Sequence, residues 1–209
     1  ALSSRSDHDF NGLPDWAQRP LVMQIFAQAH ALGGEARIVG GAVRDWLANY
    51  TVSDIDMAIN LPIETVASHM VACDMRVVET GLKHGTITIY DNDDKIELTQ
   101  TRVDLETDGR HAIVAHDQDW ARDAARRDFT INAVYLGSSG GIFDPLDGKA
   151  DLKAGRLRFA GDADLRVQED ALRMIRYCRF APRFAARGID PKAQTVLRKH
   201  ASLCAGLSG

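Results

Sequence analysis

The chain has 209 residues, of which 45% are hydrophobic and 26% charged, so a disordered or fibrous protein is excluded and one large or two small domains are expected. No apolar run approaches the roughly 18 residues of a membrane span, and the first residues are too polar for a signal peptide. The net charge of −4 is uneven, because residues 1–120 hold 9 Lys and Arg against 19 Asp and Glu, whereas residues 121–209 hold 16 against 10.

Helices and strands alternate along the first half of the sequence. The predicted helices are 21–32, 42–49 and 62–73, and the predicted strands are 37–39, 54–59, 75–79, 86–90 and 95–101. A polar turn at 91–94 joins the last two strands. Residues 102–119 lack clear periodicity and are predicted to form a long mobile loop. Loops of that length inside a compact domain are usually functional.

The second half is predicted to be mainly helical. A turn-rich stretch at 137–148 precedes two helices at 166–184 and 191–201. A mixed α/β head followed by a helical segment is therefore expected, with a boundary near residues 150–155. Three widely spaced cysteines argue against a zinc site or a disulfide framework and predict reduced core thiols in a cytoplasmic protein; they are Cys73, Cys178 and Cys204.

Two carboxylates are spaced for one face of a strand. Asp54 and Asp56 stand at i and i+2, so both side chains are predicted to point to one side while Ile55 enters the core. Such a pair suits Mg²⁺, which takes oxygen ligands and is often shared with substrate phosphates. Two such ions would activate a 3′-hydroxyl and neutralise a leaving pyrophosphate. Carboxylate pairs of this spacing are also common on ordinary surfaces.

A glycine turn lies close to this pair in the sequence. The strand 37–39 runs into Gly40 and Gly41, and Arg44 follows at the start of a helix. Free N–H groups and the helix dipole favour a triphosphate there, and the missing Cβ atoms allow close approach. An ordinary strand–turn–helix connection is the alternative. The turn, the arginine and both carboxylates within 17 residues together favour a phosphate site.

A charged helix is predicted at residues 169–180. Four charged residues recur every three positions and sweep one half of its surface, namely Asp170, Arg173, Arg176 and Arg179. The residues predicted to face the core are Ala171, Met174, Ile175 and Cys178. Tyr177 and Phe180 fall on the charged side, where they could pack against a base or a neighbouring helix. A solvated amphipathic helix with i,i+3 ion pairs is the alternative interpretation.

Asp170 and Arg173 also offer a chemistry for choosing a base. A carboxylate accepts from the exocyclic amino group of cytosine or adenine, while a guanidinium donates to the adjacent ring nitrogen. Uracil and guanine reverse that pattern, and each mismatched buried polar group costs on the order of 1–3 kcal/mol. This pair could therefore select C and A without a nucleic-acid template.

Five ordered segments resemble class II tRNA nucleotidyltransferases and bacterial poly(A) polymerases. They are 40–45 with 54–56, 126–133, 143–152, 158–163 and 169–180. The resemblance covers roughly residues 20–207, and at 126–133 it is almost letter for letter. It implies an α/β (α+β) nucleotidyltransferase head with a mixed, mainly antiparallel sheet over residues 1–152. An all-helical neck for base recognition is implied over 153–209, without the body and tail domains of the family.

The resemblance also implies roles for individual residues. Asp54 and Asp56 would be the catalytic ligands of Mg²⁺, with Glu97 as a candidate third acid. The residues implied to contact the nucleotide are Gly40, Gly41, Arg44, Arg127, Asp128, Asn132, Asp170, Arg173, Arg176 and Arg179. Among them, Asp128 and Asn132 would hold the ribose or brace the site. Residues 102–119 would correspond to the family's flexible loop, which takes part in switching from C to A addition.

The implied activity is the addition of CMP and AMP, from CTP and ATP, to the 3′ end of tRNA. Residues 81–88 resemble the tRNA nucleotidyltransferase version of that segment and lack the basic stretch typical of poly(A) polymerases. The alternatives are a poly(A) polymerase, an enzyme that adds only CC or only A, and a nucleotide- or RNA-binding module without catalysis. No membrane association is expected, and the oligomeric state is left open.

Overall fold

The computed structural model of the protein describes residues 12–81, 85–107, 112–116 and 118–206. The α-helices in these ranges are α1 (Pro20–Ala31), α2 (Gly41–Leu47), α3 (Ile63–Ala72), α4 (Trp120–Ala125), α5 (Gly148–Ala154), α6 (Ala163–Glu169), α7 (Leu172–Phe184) and α8 (Pro191–Lys199). The strands are β1 (Ala36–Val39), β2 (Asp56–Ile59), β3 (Arg76–Gly81), β4 (Thr86–Asp91), β5 (Asp94–Gln100), β6 (Arg102–Thr107), β7 (Ala112–His116), β8 (Tyr135–Gly137) and β9 (Ile142–Phe143).

Seven strands form one sheet in the order β3-β4-β5-β2-β1-β8-β9. The β2–β5 pair is parallel and the other five pairs are antiparallel, which confirms the predicted mixed, mainly antiparallel sheet. The parallel pair arises because the chain leaves β2, passes through α3 and adds the β3–β4–β5 meander on that edge. As a result β2 lies at the centre of the sheet, between β1 and β5.

The two faces of the sheet are covered differently. Met57 and Ile59 of β2 belong to the large apolar cluster formed with α1 and α3, whereas Ala58 packs on the opposite face with Trp120 and Tyr135. This alternation follows from the two-residue period of a strand. Since Asp56 shares the orientation of Ala58, its carboxylate lies on the face covered by α4.

Residues 102–119 contain a hairpin, so the predicted structureless loop is wrong. β6 and β7 pair as a separate two-stranded antiparallel sheet, with a register shift between Asp104 and Glu106. The sequence of β6 does alternate apolar and polar residues, which is a strand signal. This alternation spans only a few residues, and the β6–β7 pairing itself is interrupted after three residues by the register shift. The connecting residues 108–111 lie outside the described ranges.

The predicted helix 166–184 is broken in two. Asp170 has φ −153° and ψ 103°, an extended conformation that ends α6, and α7 begins two residues later. Its carboxylate accepts a hydrogen bond from the backbone N–H of Leu172 at 2.9 Å. Asp competes with helical hydrogen bonding through contacts of this kind, which explains the break.

The buried face of α7 differs from the prediction. Met174 and Tyr177 are buried, whereas Ile175 is 50% exposed and Cys178 is exposed. The Tyr177 hydroxyl donates to the Leu157 carbonyl at 3.1 Å, so the phenol satisfies its polar atom inside the core. All three cysteines are free and exposed, so the prediction of core thiols is wrong although no disulfide links them.

The apolar core runs through the predicted domain boundary at 152/153. That boundary lies inside α5, and Met174, Tyr177 and Phe184 of α7 belong to the same cluster as the core of the sheet. The division into 1–152 and 153–209 therefore stays a prediction. Within the described residues, no helix combines the length and the apolar character needed to cross a membrane.

Gly148 is required by close packing at the start of α5. A Cβ at this position would stand 2.3 Å from the Thr130 carbonyl oxygen. Gly148→Ala is therefore expected to lower the free energy of unfolding by about 1–3 kcal/mol, the usual cost of overpacking. Thermal unfolding of this variant beside Gly141→Ala, where a Cβ would meet only ordinary contacts, measures the effect. Equal melting temperatures would contradict it.

Candidate active site

The glycine turn after β1 faces the carboxylate of Asp56. Gly40 has φ 78° and ψ −131°, a conformation that strains any residue with a Cβ. A Cβ at Gly40 would lie 4.0 Å from Asp56 Oδ2, because Val39 and Asp56 are paired across β1 and β2. The turn and the carboxylate therefore border one open space.

Three carboxylates gather at the start of β2. Asp56 and Glu97 are register partners on the parallel strands β2 and β5, and Asp54 lies two residues before Asp56. All three side chains are exposed, whereas Ile55 is buried as predicted. Asp54 precedes the strand, so the predicted shared strand face does not explain its position. Partial desolvation raises the pKa of Asp56, repulsion from Glu97 and Asp54 raises it further, and the charge of Arg127 lowers it.

The carboxylates fit a divalent cation that shares its ligands with a substrate. Within the described residues, neither Asp56 nor Glu97 has a hydrogen bond or an ion pair, so their oxygens are available, whereas Asp54 Oδ2 accepts from the Ser53 hydroxyl at 3.3 Å. No group of three or more His, Cys, Asp and Glu side chains in those ranges is placed to hold a metal ion, so the three carboxylates alone do not form a metal site. Mg²⁺ commonly keeps water and substrate phosphates as ligands beside one or two carboxylates. Asp54 and Asp56 match that pattern.

Arg44 is largely buried instead of projecting from the turn. Its guanidinium donates from Nε to Asp45 and from Nη1 to Asn132, both at 2.8 Å. It also lies over the rings of Phe180 and Phe184, 5.0 and 4.9 Å from their centroids. Nη2 lies 3.7 Å from where a Cβ on Gly41 would stand. The Nη2 group is thus the part of Arg44 nearest the turn, and phosphate contact by Arg44 stays a prediction.

Arg127 is held by a buried carboxylate. Its Nη2 donates to Asp123 at 3.0 Å and its Nε donates to the Tyr135 hydroxyl at 2.9 Å, while that hydroxyl donates to Asp123 at 2.7 Å. Burial raises the pKa of Asp123, but Arg127, Arg126 and the tyrosine hydroxyl together lower it below its ordinary value. Burial raises the pKa of Tyr135, so the hydroxyl stays protonated. Asp123 and Tyr135 were not singled out from the sequence.

Asp128 and Asn132 connect α2 to α7 through hydrogen bonds. Asn132 accepts from Arg44 and donates to Asp128 Oδ1 at 3.0 Å. Asp128 Oδ2 accepts from Arg176 Nε at 2.8 Å and from its Nη2 at 2.5 Å. A continuous chain of polar contacts therefore links α2, the segment after α4, and α7.

The two residues predicted to read the base are separately fixed. Asp170 Oδ1 accepts from the N–H of Leu172, the first residue of α7. Arg173 Nη1 donates to Glu169 at 2.8 Å and to the Arg166 carbonyl at 3.0 Å. Glu169 was not among the predicted site residues, although its i,i+4 spacing to Arg173 is the sequence signal of such a pair.

Two further arginine contacts lie on α7, one in Arg173 and one in Arg179. Arg173 Nη2 donates to the Arg126 carbonyl at 3.2 Å, which ties α7 to the end of α4. Arg179 is exposed and lies 5.7 Å from the centroid of the Phe180 ring, and no described carboxylate pairs with it. The phosphate contacts assigned to Arg176 and Arg179 from the sequence stay predictions.

Known proteins resemble this chain over most of its length. Residues 36–158 match the family model described as the Poly A polymerase head domain. A relative from Danio rerio, named CCA tRNA nucleotidyltransferase 1, mitochondrial, is 44% identical over 84% of this chain and 41% of its own length. The CCA-adding enzyme of Latilactobacillus sakei subsp. sakei (strain 23K) is 36% identical over 91% of this chain and 46% of its own length.

A solved structure carries the same fold. The Bacillus stearothermophilus CCA-adding enzyme in complex with CTP superposes with a TM-score of 0.82 and 30% identity, over 94% of this chain and 46% of that chain. The chain thus spans less than half the length of these three proteins. Because the family model covers more than half of its residues, the chain belongs to the Poly A polymerase head domain family.

Proposed function

We propose that the protein adds CMP and AMP, from CTP and ATP, to the 3′ end of tRNA without a nucleic-acid template. The observation that carries this proposal is the exposed carboxylate of Asp56 beside the Gly40 turn, with Glu97 as its register partner on β5. Residues 126–132 lie between this turn and α7, since Asn132 accepts from Arg44 and the Arg126 carbonyl accepts from Arg173. Relatives named as CCA-adding enzymes at 36–44% identity support it.

The residues divide the reaction between binding and positioning. The backbone of the Gly40–Gly41 turn and the guanidinium of Arg127 would hold the triphosphate next to Asp54 and Asp56. Bound Mg²⁺ would supply charge neutralisation for the attacking 3′-oxygen and the leaving pyrophosphate. Asp54 and Asp56 would hold the ion, and Glu97 would add negative charge beside it. Asp128, fixed by Arg176 and Asn132, would brace the ribose.

The base would be read by Asp170 and Arg173. Asp170 uses one oxygen to accept from the Leu172 N–H, which leaves Oδ2 as an acceptor for an exocyclic amino group. Arg173 is oriented by Glu169 and two carbonyls, so its remaining donor capacity faces a defined direction. Preorganised donors and acceptors of this kind discriminate between bases because a wrong base leaves polar groups unpaired.

Poly(A) addition is the second candidate function. The family model is described by its poly(A) polymerase members, and the same catalytic groups would serve unlimited addition of A. Enzymes restricted to CC or to A would share these groups as well. We also propose a cytoplasmic location. The Danio rerio relative, by contrast, is named as mitochondrial.

The deciding experiment supplies the full-length protein with Mg²⁺ and one nucleoside triphosphate at a time. The substrates are tRNA transcripts ending before CCA, after C and after CC. We expect addition of C, C and A in that order, followed by a stop. Unlimited addition of A to any RNA would instead assign a poly(A) polymerase, and absence of incorporation would indicate a binding module.

A further inference from the structure

One buried carboxylate is linked to both parts of the proposed nucleotide site, the triphosphate side at Arg127 and the base side at Arg173. Asp123 is fully buried and accepts hydrogen bonds from two consecutive arginines and a tyrosine hydroxyl. The contacts follow two separate routes, one from each oxygen.

The first route begins at Oδ2 and leads to the metal-facing side. Oδ2 accepts from Arg127 Nη2 at 3.0 Å and from the Tyr135 hydroxyl at 2.7 Å. The hydroxyl in turn accepts from Arg127 Nε at 2.9 Å, so two fixed acceptors hold the guanidinium. Tyr135 and Asp56 are both register partners of Val39, one on each side of β1, so the guanidinium bound to the Tyr135 hydroxyl lies on the same face of the sheet as the Asp56 carboxylate.

The second route begins at Oδ1 and leads to the base-facing side. Oδ1 accepts from Arg126 Nε at 2.8 Å and from Arg126 Nη2 at 2.5 Å. This pairing folds the residue that follows α4 back onto the helix and fixes its backbone. The carbonyl of Arg126 then accepts from Arg173 Nη2 at 3.2 Å. The Arg126 carbonyl is thus one of the three acceptors that orient Arg173, beside Glu169 and the Arg166 carbonyl.

We infer that Asp123 is a positioning residue that couples triphosphate binding by Arg127 to base selection by Arg173. The inference rests on the proposed function, because it assigns Arg127 and Arg173 to the nucleotide. Asp123 does not contact the substrate and acts only through these two arginines. A carboxylate is needed because a neutral amide would present a donor to one of the guanidinium groups, and a buried unpaired donor is costly.

The test measures equilibrium binding of CTP and of UTP to the full-length protein by titration calorimetry, with Mg²⁺ and without tRNA. Asp123→Asn is expected to weaken CTP binding about tenfold or more and to reduce the CTP-to-UTP affinity ratio by a similar factor. Both quantities change because both routes lose their anchor. A folded Asp123→Asn protein with the wild-type affinity and ratio would overturn the inference.

Two variants separate the routes. Tyr135→Phe removes the hydroxyl that accepts from Arg127, so it is expected to weaken CTP and UTP binding alike and to leave their ratio unchanged. Arg126→Lys loses the forked contact to Asp123 and is expected to lower the ratio. If Asp123→Asn does not fold, these two variants test the inference instead. Wild-type CTP affinity and a wild-type CTP-to-UTP affinity ratio in both variants would overturn it.

Asp151 supplies the matched structural control. It is as buried as Asp123 and pairs with two arginines, Arg156 and Arg158, and with the Thr130 hydroxyl. Asp151→Asn is expected to lower the melting temperature comparably while the CTP-to-UTP ratio stays at the wild-type value. An equal decrease of the CTP-to-UTP affinity ratio in Asp151→Asn would overturn the inference, because general destabilisation would then explain the decrease in Asp123→Asn.

Measurements of binding and of turnover distinguish failure of the inference from failure of the proposed function. A wild-type protein that binds CTP selectively but adds no nucleotide would overturn the proposed function. The inference would then still be tested by CTP and UTP binding to the variants. A wild-type protein that binds no nucleoside triphosphate would overturn both.

Discussion

Asp56→Ala is expected to reduce nucleotide incorporation by at least about a thousandfold while leaving the fold intact. The loss corresponds to about 4 kcal/mol of transition-state stabilisation, which is the scale of metal-assisted catalysis. Asp56 carries the carboxylate nearest the Gly40 turn, and no described donor compensates its charge by a hydrogen bond. The same loss is expected for Asp54→Ala if the two carboxylates hold one ion.

The stability of Asp56→Ala follows from the direction of the pKa shift. The folded state raises the pKa of Asp56, so it binds the proton more tightly than the unfolded state does. The charged form then destabilises the fold, and this cost is fully present at neutral pH. Replacing Asp56 by alanine should therefore leave the melting temperature unchanged or higher at pH 7. A variant that melts lower and retains incorporation would contradict both the metal assignment and this argument.

Asp93→Ala provides the control for a lost surface carboxylate. Asp93 lies exposed in the two-residue turn between β4 and β5, far along the hairpin from Glu97. Incorporation and melting temperature should both stay at the wild-type value. Parallel measurements of primer extension and thermal unfolding on the three variants separate loss of chemistry from loss of structure.

Arg173→Gln is expected to relax the preference for CTP and ATP over UTP and GTP by about 10- to 100-fold. The guanidinium only donates, whereas the glutamine amide can also present its oxygen to the N–H of uracil or guanine. The factor corresponds to about 1–3 kcal/mol for each mispaired polar group. Competition between nucleoside triphosphates in primer extension measures the ratio directly.

Arg179→Gln is the matched control on the same helix. Arg179 is exposed and contacts only the ring of Phe180 among the described residues. Its replacement removes a positive charge without altering a base contact, so KM should rise equally for all four nucleotides. If Arg179→Gln shifted the base preference as much as Arg173→Gln, the assignment of Arg173 to the base would fail.

The sequence predicted the sheet and the glycine turn because both depend on local patterns. Ile55 is buried as predicted, although it precedes β2, and the glycine turn was correctly connected to β1. Contacts between distant segments were not predictable in this way. The burial of Arg44 depends on Phe180 and Phe184, 136 and 140 positions further along the chain, and spacing carries no sign of them.

Helix α7 shows why periodicity alone assigned the wrong residues to the core. Asp170 ends α6 before α7 begins, and in α7 Tyr177 faces inward whereas Ile175 faces outward. The aromatic cluster then decides which side is buried, since Tyr177 packs against Phe129 and Phe159. The ion pairs of Asp123 were visible in the sequence, since Arg126 and Arg127 follow it at i+3 and i+4.

The core shared by α7 and the sheet limits how the gene can be recombined. A crossover at residues 152/153 would divide α5 and separate Asp151 from the arginines that neutralise it, Arg156 and Arg158. It would also combine the Phe129 ring of one parent with the Phe159, Tyr177 and Phe180 rings of another. Chimaeras between relatives should therefore exchange residues 120–199 as one block, so that the carboxylate and the aromatic cluster are inherited with their own partners.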